Sequence, residues 1–113
     1  MVKRIESVDS IIKKEISDIV FRTLDVGRSI FTTVTRVKTS TNIIQTKVYI
    51  SVMPDKETDR IMGILNRNIY HMQQLLNKRL RMRPIPKIIF VKEDKIKSAE
   101  NIEKLLDLLK KKE

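Results

Sequence analysis

The side chains best placed to do chemistry in this sequence are cations. In the stretch LNKRLRMRPIPKIIF, residues 76–90, Lys78, Arg79, Arg81, Arg83 and Lys87 crowd around Pro84 and Pro86. Like charges this close repel, so packing alone does not ask for them. Two uses are open to them. Basic residues near a helix C-terminus interact with its dipole by ~0.3–1 kcal/mol each. Guanidinium forks also grip phosphate oxygens in pairs. The cluster exceeds what one helix end can use, so the turn is read as the edge of a phosphate-backbone site.

Other chemistries find little support. His71 is the one histidine, with no carboxylate beside it at ligand spacing, so no metal site is expected. As a general base it lacks an obvious nucleophile, which leaves a solvated or base-stacking histidine. Cysteine is absent, which removes disulfides, thiolate nucleophiles and cysteine-containing zinc sites and fits a reducing compartment. Neither a Walker motif nor a dinucleotide-binding glycine pattern is present, and the carboxylates are not clustered. No catalytic residue and no cofactor are expected.

The length of 113 residues suits one domain, 1–113, with one core. Lysine and arginine number 24 against 14 acids, a formal charge of +10. A balance this basic argues for a polyanionic partner and says nothing of fold. Aromatics make up only 4% of the chain, too few for binding built on many stacked bases. No apolar run approaches the ~18 residues of a membrane span. The start, MVKRIESVDS, has no apolar stretch behind its basic residues, so it does not read as a signal peptide. A cytoplasmic monomer without a membrane partner is expected.

The elements that must position the cations follow from periodicity. Ile5, Val8, Ile12, Ile16, Ile19 and Thr23 recur at steps of three and four and predict a helix over 5–23. The β-branched run 30–38 predicts a strand whose alternation slips between Val34 and Val37, placing a bulge near Arg36. A second strand spans 43–53, with Ile44, Val48, Ile50 and Val52 on one face, and the short TSTN connection makes the pair an antiparallel hairpin. A long helix over about 57–80 buries Ile61, Leu65, Ile69, Met72, Leu76 and Leu80. At 100° per residue, Arg60, Arg67, His71, Gln74 and Lys78 fall within roughly 40° of one line on its opposite face. Residues 85–91 form a third strand, and Ser98 caps a closing helix holding Ile102, Leu105, Leu106 and Leu109. Tyr49, Phe90, Phe21 and Phe31 are expected to pack between sheet and helices. The order α-β-β-α-β, with a three-stranded sheet and a C-terminal helix, is an α+β sandwich with the layout of a type II KH-like domain.

These segments also resemble a family. EISDIV, TVTRVKTS followed by TKVYISV, LLNKRLRMRPIPKIIFVKEDKI and IEKLLDLL are similar, in order and spacing, to the ribosome-binding factor A family of bacterial small-subunit maturation factors. The most recognisable unit is Arg81, Met82, Arg83, Pro86, Ile88 and Phe90. Members commonly carry an Ala-x-Gly kink in the long helix; Asn68, Ile69 and Tyr70 stand at the matching positions here. Asn bonds locally to backbone and tolerates non-helical geometry. Either a break confined to 66–70 and centred on Asn68, or one continuous helix, is therefore expected.

The resemblance implies a non-catalytic factor that binds the immature small ribosomal subunit and its ribosomal RNA and assists rRNA processing. Charge and periodicity by themselves reach only the polyanion. The expected RNA-binding set is Arg60, Arg67, Asn68, His71, Lys78, Arg79, Arg81, Arg83 and Lys87, with Lys13, Lys14 and Arg36 extending it. Two rivals stay open from the residues: another basic RNA- or DNA-binding module, such as a ribosomal or nucleoid protein, and a small nuclease.

Overall fold

The computed structural model describes residues 2–25, 27 and 29–93, with side chains from Ser7 onward. The closing helix expected around 98–109 lies outside the described residues. The chain runs α1 (Val2–Thr23), β1 (Phe31–Thr39), β2 (Gln45–Met53), a 3-10 turn (Asp55–Glu57), α2 (Thr58–Arg67), α3 (Ile69–Arg79) and β3 (Lys87–Lys92). The α-β-β-α-β order therefore holds, with the long helix divided in two.

In the sheet, β1 pairs antiparallel with β2, and β2 pairs parallel with β3. A parallel neighbour needs a long crossover, and α2–α3 supplies it. Val34 faces Ile50 and Arg36 faces Tyr49, so Thr35 is the extra residue of a bulge where the sequence slips. Beyond the bulge the alternation resumes with Thr39 and Thr46 buried. Their hydroxyls lie 2.8 Å apart, and Asp9 of α1 accepts hydrogen bonds from the Thr39 amide and hydroxyl. This buried polar link fastens α1 to the hairpin end of the sheet.

All three helices pack on one face of the sheet: α1 on β1 and α3, α2 on β2 and β3, α3 on β3. The core is the sum of the predicted stripes. Ile12, Ile16 and Ile19 of α1 meet Val48, Ile50, Val52 and Ile88 of the sheet and Ile61, Leu65, Met72 and Leu76 of the crossover, in one cluster. Burying each such side chain is worth about 1.5–3 kcal/mol, which is what holds two short helices against a three-stranded sheet.

Four expectations about apolar or aromatic residues fail, the first being Tyr49, which alternates with the buried Val48 and Ile50 and so lies on the sheet face away from the helices, under Arg36. Phe21 and Phe31 are 82% and 68% exposed, because each sits near an end of its element, where no second layer among the described residues covers it. Ile44 is 66% exposed. Its neighbour Ile43 takes a left-handed φ of 57°, so regular alternation starts only at Gln45 and Ile44 belongs to the turn. The other turn, before β1, uses Gly27 at φ 91°, a conformation that favours glycine.

Candidate nucleic-acid interface

The helix crossover breaks at Asn68, with φ −104° and ψ 6°. That is about 40° in φ and 50° in ψ from helical values, in the bridge region and not the left-handed one. The cause is visible in the hydrogen bonds. The Asn68 side-chain amide donates to the Ile64 carbonyl at 2.8 Å, while the Asn68 backbone amide is shared between the Ile64 and Leu65 carbonyls. Two donors crowd the Ile64 carbonyl where a straight helix brings one, and the chain turns there. The Asn68 side chain does not cap α3.

Arg60 and Arg67 accordingly ride on α2, and His71, Gln74 and Lys78 on α3, all exposed. Arg60 is tied to Glu57 at 3.2 Å. Arg67 and Lys78 have no ion pair among the described residues. Tyr70, 76% exposed, stands out beside His71. The result is a cationic surface with one exposed aromatic ring and one imidazole at the bend.

The basic turn divides into two groups. Arg79 is a structural residue: it bonds Asp18 at 2.7 Å and Glu15 at 3.4 Å across the α1–α3 seam. The Arg79 hydrogen bond, above all, holds the Asp18 carboxyl below its usual value, and Arg79 is raised in return by the same bond. Arg83 donates to the Leu80 and Met82 carbonyls at 3.3 and 2.8 Å, closing the end of α3. Lys78, Arg81 and Lys87 remain exposed, without an acidic partner among the described residues. One residue outside the cluster holds this turn. The Gln73 side chain of α3 accepts from the Ile88 amide at 2.8 Å and donates to the Pro86 carbonyl at 3.2 Å. Helix periodicity gives no sign of that role.

The extending residues are not gathered with the stripe. Lys13 lies across α1 from Glu15 and Asp18, the acids that reach Arg79, and Lys14 sits on the exposed back of α1. Arg36 is on the sheet face away from the helices, its guanidinium 3.9 Å from the Tyr49 ring centre and 3.3 Å from Glu93. Lys87 opens β3 on that same face, since its neighbour Ile88 points into the core. Among the described residues no group of three His, Cys, Asp or Glu could hold a metal ion, and no helix is long and apolar enough to cross a membrane.

With this geometry in place, the chain can be compared with known proteins. The fold is shared with solved structures. Ribosome-binding factor A from Thermus thermophilus superposes, in its crystal structure, with a TM-score of 0.66 at 22% identity, covering 78% of this chain and 93% of that one. A model of the Thermus thermophilus factor fitted into a map of a 30S complex gives 0.62 at 23%, covering 74% and 88%. In sequence, ribosome-binding factor A of Staphylococcus epidermidis is 33% identical over 109 residues, 96% of this chain and 94% of the relative. That of Halothermothrix orenii is 31% identical over 112 residues, covering 98% and 92%. The family model described as ribosome-binding factor A matches residues 4–106, from the first turn of α1 through β3 and beyond. A KH-like sandwich, a crossover helix broken at Asn68 and a match along nearly the whole length agree: the chain belongs to the ribosome-binding factor A family.

Proposed function

We propose that this protein is a non-catalytic maturation factor of the small ribosomal subunit, which docks on ribosomal RNA of the immature particle and assists its processing. The observation that carries the reading is the cationic surface at the bend, unpaired among the described residues. Arg67 stands at the Asn68 break, Lys78 lies in the last turn of α3, and Arg81 continues the charge around the end of that helix. Guanidinium and ammonium groups suit a phosphate backbone, which they position without reading sequence. Family membership supplies the particle; the fitted 30S complex is a property of the Thermus relative and is extended to this chain by that membership.

The test is a salt titration of binding to isolated small subunits. For wild type, log K falls steeply with log salt. Arg67→Glu and Arg81→Glu each flatten the slope by roughly 0.7–0.9 per lost phosphate contact, with unchanged melting temperatures. A salt-independent affinity, or variants that bind as wild type does, overturns the reading. Equal affinity for duplex DNA shows a general nucleic-acid module instead, and magnesium-dependent cleavage of ribosomal RNA shows a nuclease.

A further inference from the structure

The sheet face turned away from the helices carries a second group of cations. Lys38 of β1 and Lys47 of β2 are paired directly across the strands. Their flanking residues Thr39 and Thr46 are buried toward α1, so both lysines point to the outer face. Lys87 of β3 is opposite Gln45, one diagonal step from Lys47. Partners directly opposite have Cβ atoms about 4.5–5.5 Å apart and diagonal neighbours about 7–8 Å, and like charges directly opposite are destabilising. Natural sheets answer such a pair with an acid, and none answers it here: among the described residues, none of the three lysines has an ion pair. Glu93 is on Arg36, and Asp9 is engaged from the helix side by Thr39.

The ground beneath the lysines is rigid and shaped. The Asp9–Thr39–Thr46 link fixes the hairpin from below. Ser40 closes the turn, accepting from the Ile44 and Gln45 amides at 3.2 Å. A hollow of about 180 Å³ lies between Lys38, Ser40, Gln45, Lys47 and Tyr49. Beside it the Arg36 guanidinium sits 3.9 Å from the Tyr49 ring centre, and with its side chain 56% exposed it can still meet a base. Ile89, 36% exposed, adds an apolar surface on the neighbouring strand. A phosphate-spaced row of lysines next to a guanidinium plane is the chemistry of a single nucleic-acid strand. An acidic peptide would use the charges and have no use for the plane.

We propose that the outer sheet face is a second RNA seat: Lys38, Lys47 and Lys87 hold successive phosphates of a single strand, and a base stacks on Arg36. Resting on the proposed RNA-binding function, this makes the protein two-faced. The bend of α2–α3 takes one RNA segment and the sheet takes another, so the factor holds two segments at a fixed separation.

The experiment compares the full-length wild type with the double variant Lys38→Gln, Lys47→Gln, using a short oligouridylate as probe, and includes Arg67→Glu. The double variant keeps a polar side chain at both positions and removes a repelling pair, so its melting temperature should stay equal or rise. Its log K against log salt slope should flatten by about 1.4, which is a roughly tenfold affinity loss near 0.15 M salt. Wild type should take up two oligonucleotides and the double variant one. In wild type, oligouridylate should shield Lys38 and Lys47 from acylation, a readout that needs no variant; an equally charged polyglutamate, which can use the charges but not the plane, should shield them less. An unchanged slope and stoichiometry without shielding overturns the sheet seat, and so does equal shielding by polyglutamate. If Arg67→Glu weakens binding while the lysine variant does not, the sheet seat falls and the proposed function stands. If neither does, both fall. If the lysine variant alone weakens binding, the sheet seat stands and the helix surface is excluded.

Discussion

Gln73→Ala tests whether the basic turn is held in place or merely tethered. Gln73 spans α3 and the start of β3 with two side-chain-to-backbone bonds, to the Ile88 amide at 2.8 Å and the Pro86 carbonyl at 3.2 Å. A net 0.5–1.5 kcal/mol per bond, with the lower half preferred for a half-buried side chain, gives a loss of about 1–2 kcal/mol. At this chain length ~4 °C accompanies each kcal/mol, so melting should fall by roughly 4–8 °C. Local opening should speed exchange of the Ile88 amide by roughly five- to thirtyfold, since 1.4 kcal/mol is about tenfold. Gln73→Glu keeps the acceptor and loses the donor, so it should retain Ile88 protection while weakening the hold on Pro86. Binding to small subunits should weaken in Gln73→Ala with no change in salt slope, because no charge leaves the surface. Melting within 1 °C of wild type with unaltered Ile88 exchange would refute the positioning role. A changed slope would show instead that Gln73 acts on the contacts themselves.

Asn68→Ala removes the bond to the Ile64 carbonyl and adds up to ~0.7 kcal/mol of helix propensity, so stability should stay within about 1 kcal/mol of wild type while RNA affinity drops as α2 and α3 straighten; intact affinity in a variant shown by amide exchange to be continuously helical would separate the bend from binding. Arg79→Ala should lower the melting temperature and leave the salt slope alone, whereas Arg81→Ala should do the reverse, which paired melting and binding curves decide. Asp18 has its pKa lowered chiefly by the Arg79 bond, so its contribution is present above the ordinary value of 3.8 and is lost as pH falls through the lower folded value. Melting temperatures of wild type and Asp18→Asn should therefore differ above pH 3.8 and converge in stronger acid.

Much of the fold is legible because burial writes a period into the chain. Ile12, Ile16 and Ile19, or Leu65, Met72 and Leu76, announce their helix faces without tertiary information. The bulge at Thr35 is legible as a slip in alternation, and the break at Asn68 as the local chemistry of one side chain. Residues at element ends are not. Phe21 and Phe31 are apolar enough for a core, but whether a second layer reaches them depends on the whole fold. Partnerships between elements are equally hidden. Nothing near Arg79 in the sequence says that Asp18 and Glu15 lie opposite it, and only those contacts give it a partner within the protein. The Lys38–Lys47 pair needs the register, and a bulge upstream moves every later side chain to the other face.

The charge at the helix-to-strand turn is thus two populations sharing one stretch of sequence. Arg79 and Arg83 satisfy acids and carbonyls of the protein itself and would be there without any ligand. Lys78, Arg81 and Lys87 have nothing of the sort among the described residues, and their repulsion is relieved only by something from outside. The first group makes the second effective. Arg79 locks α3 to α1, Arg83 closes the helix end, and Gln73 fixes the strand that follows, so the free cations project from a stiff corner. Stiffness matters because ordering long side chains and loops on binding costs about 0.5–1.5 kcal/mol each. Under the proposed function, a corner already ordered by its own ion pairs would meet the phosphates without that cost.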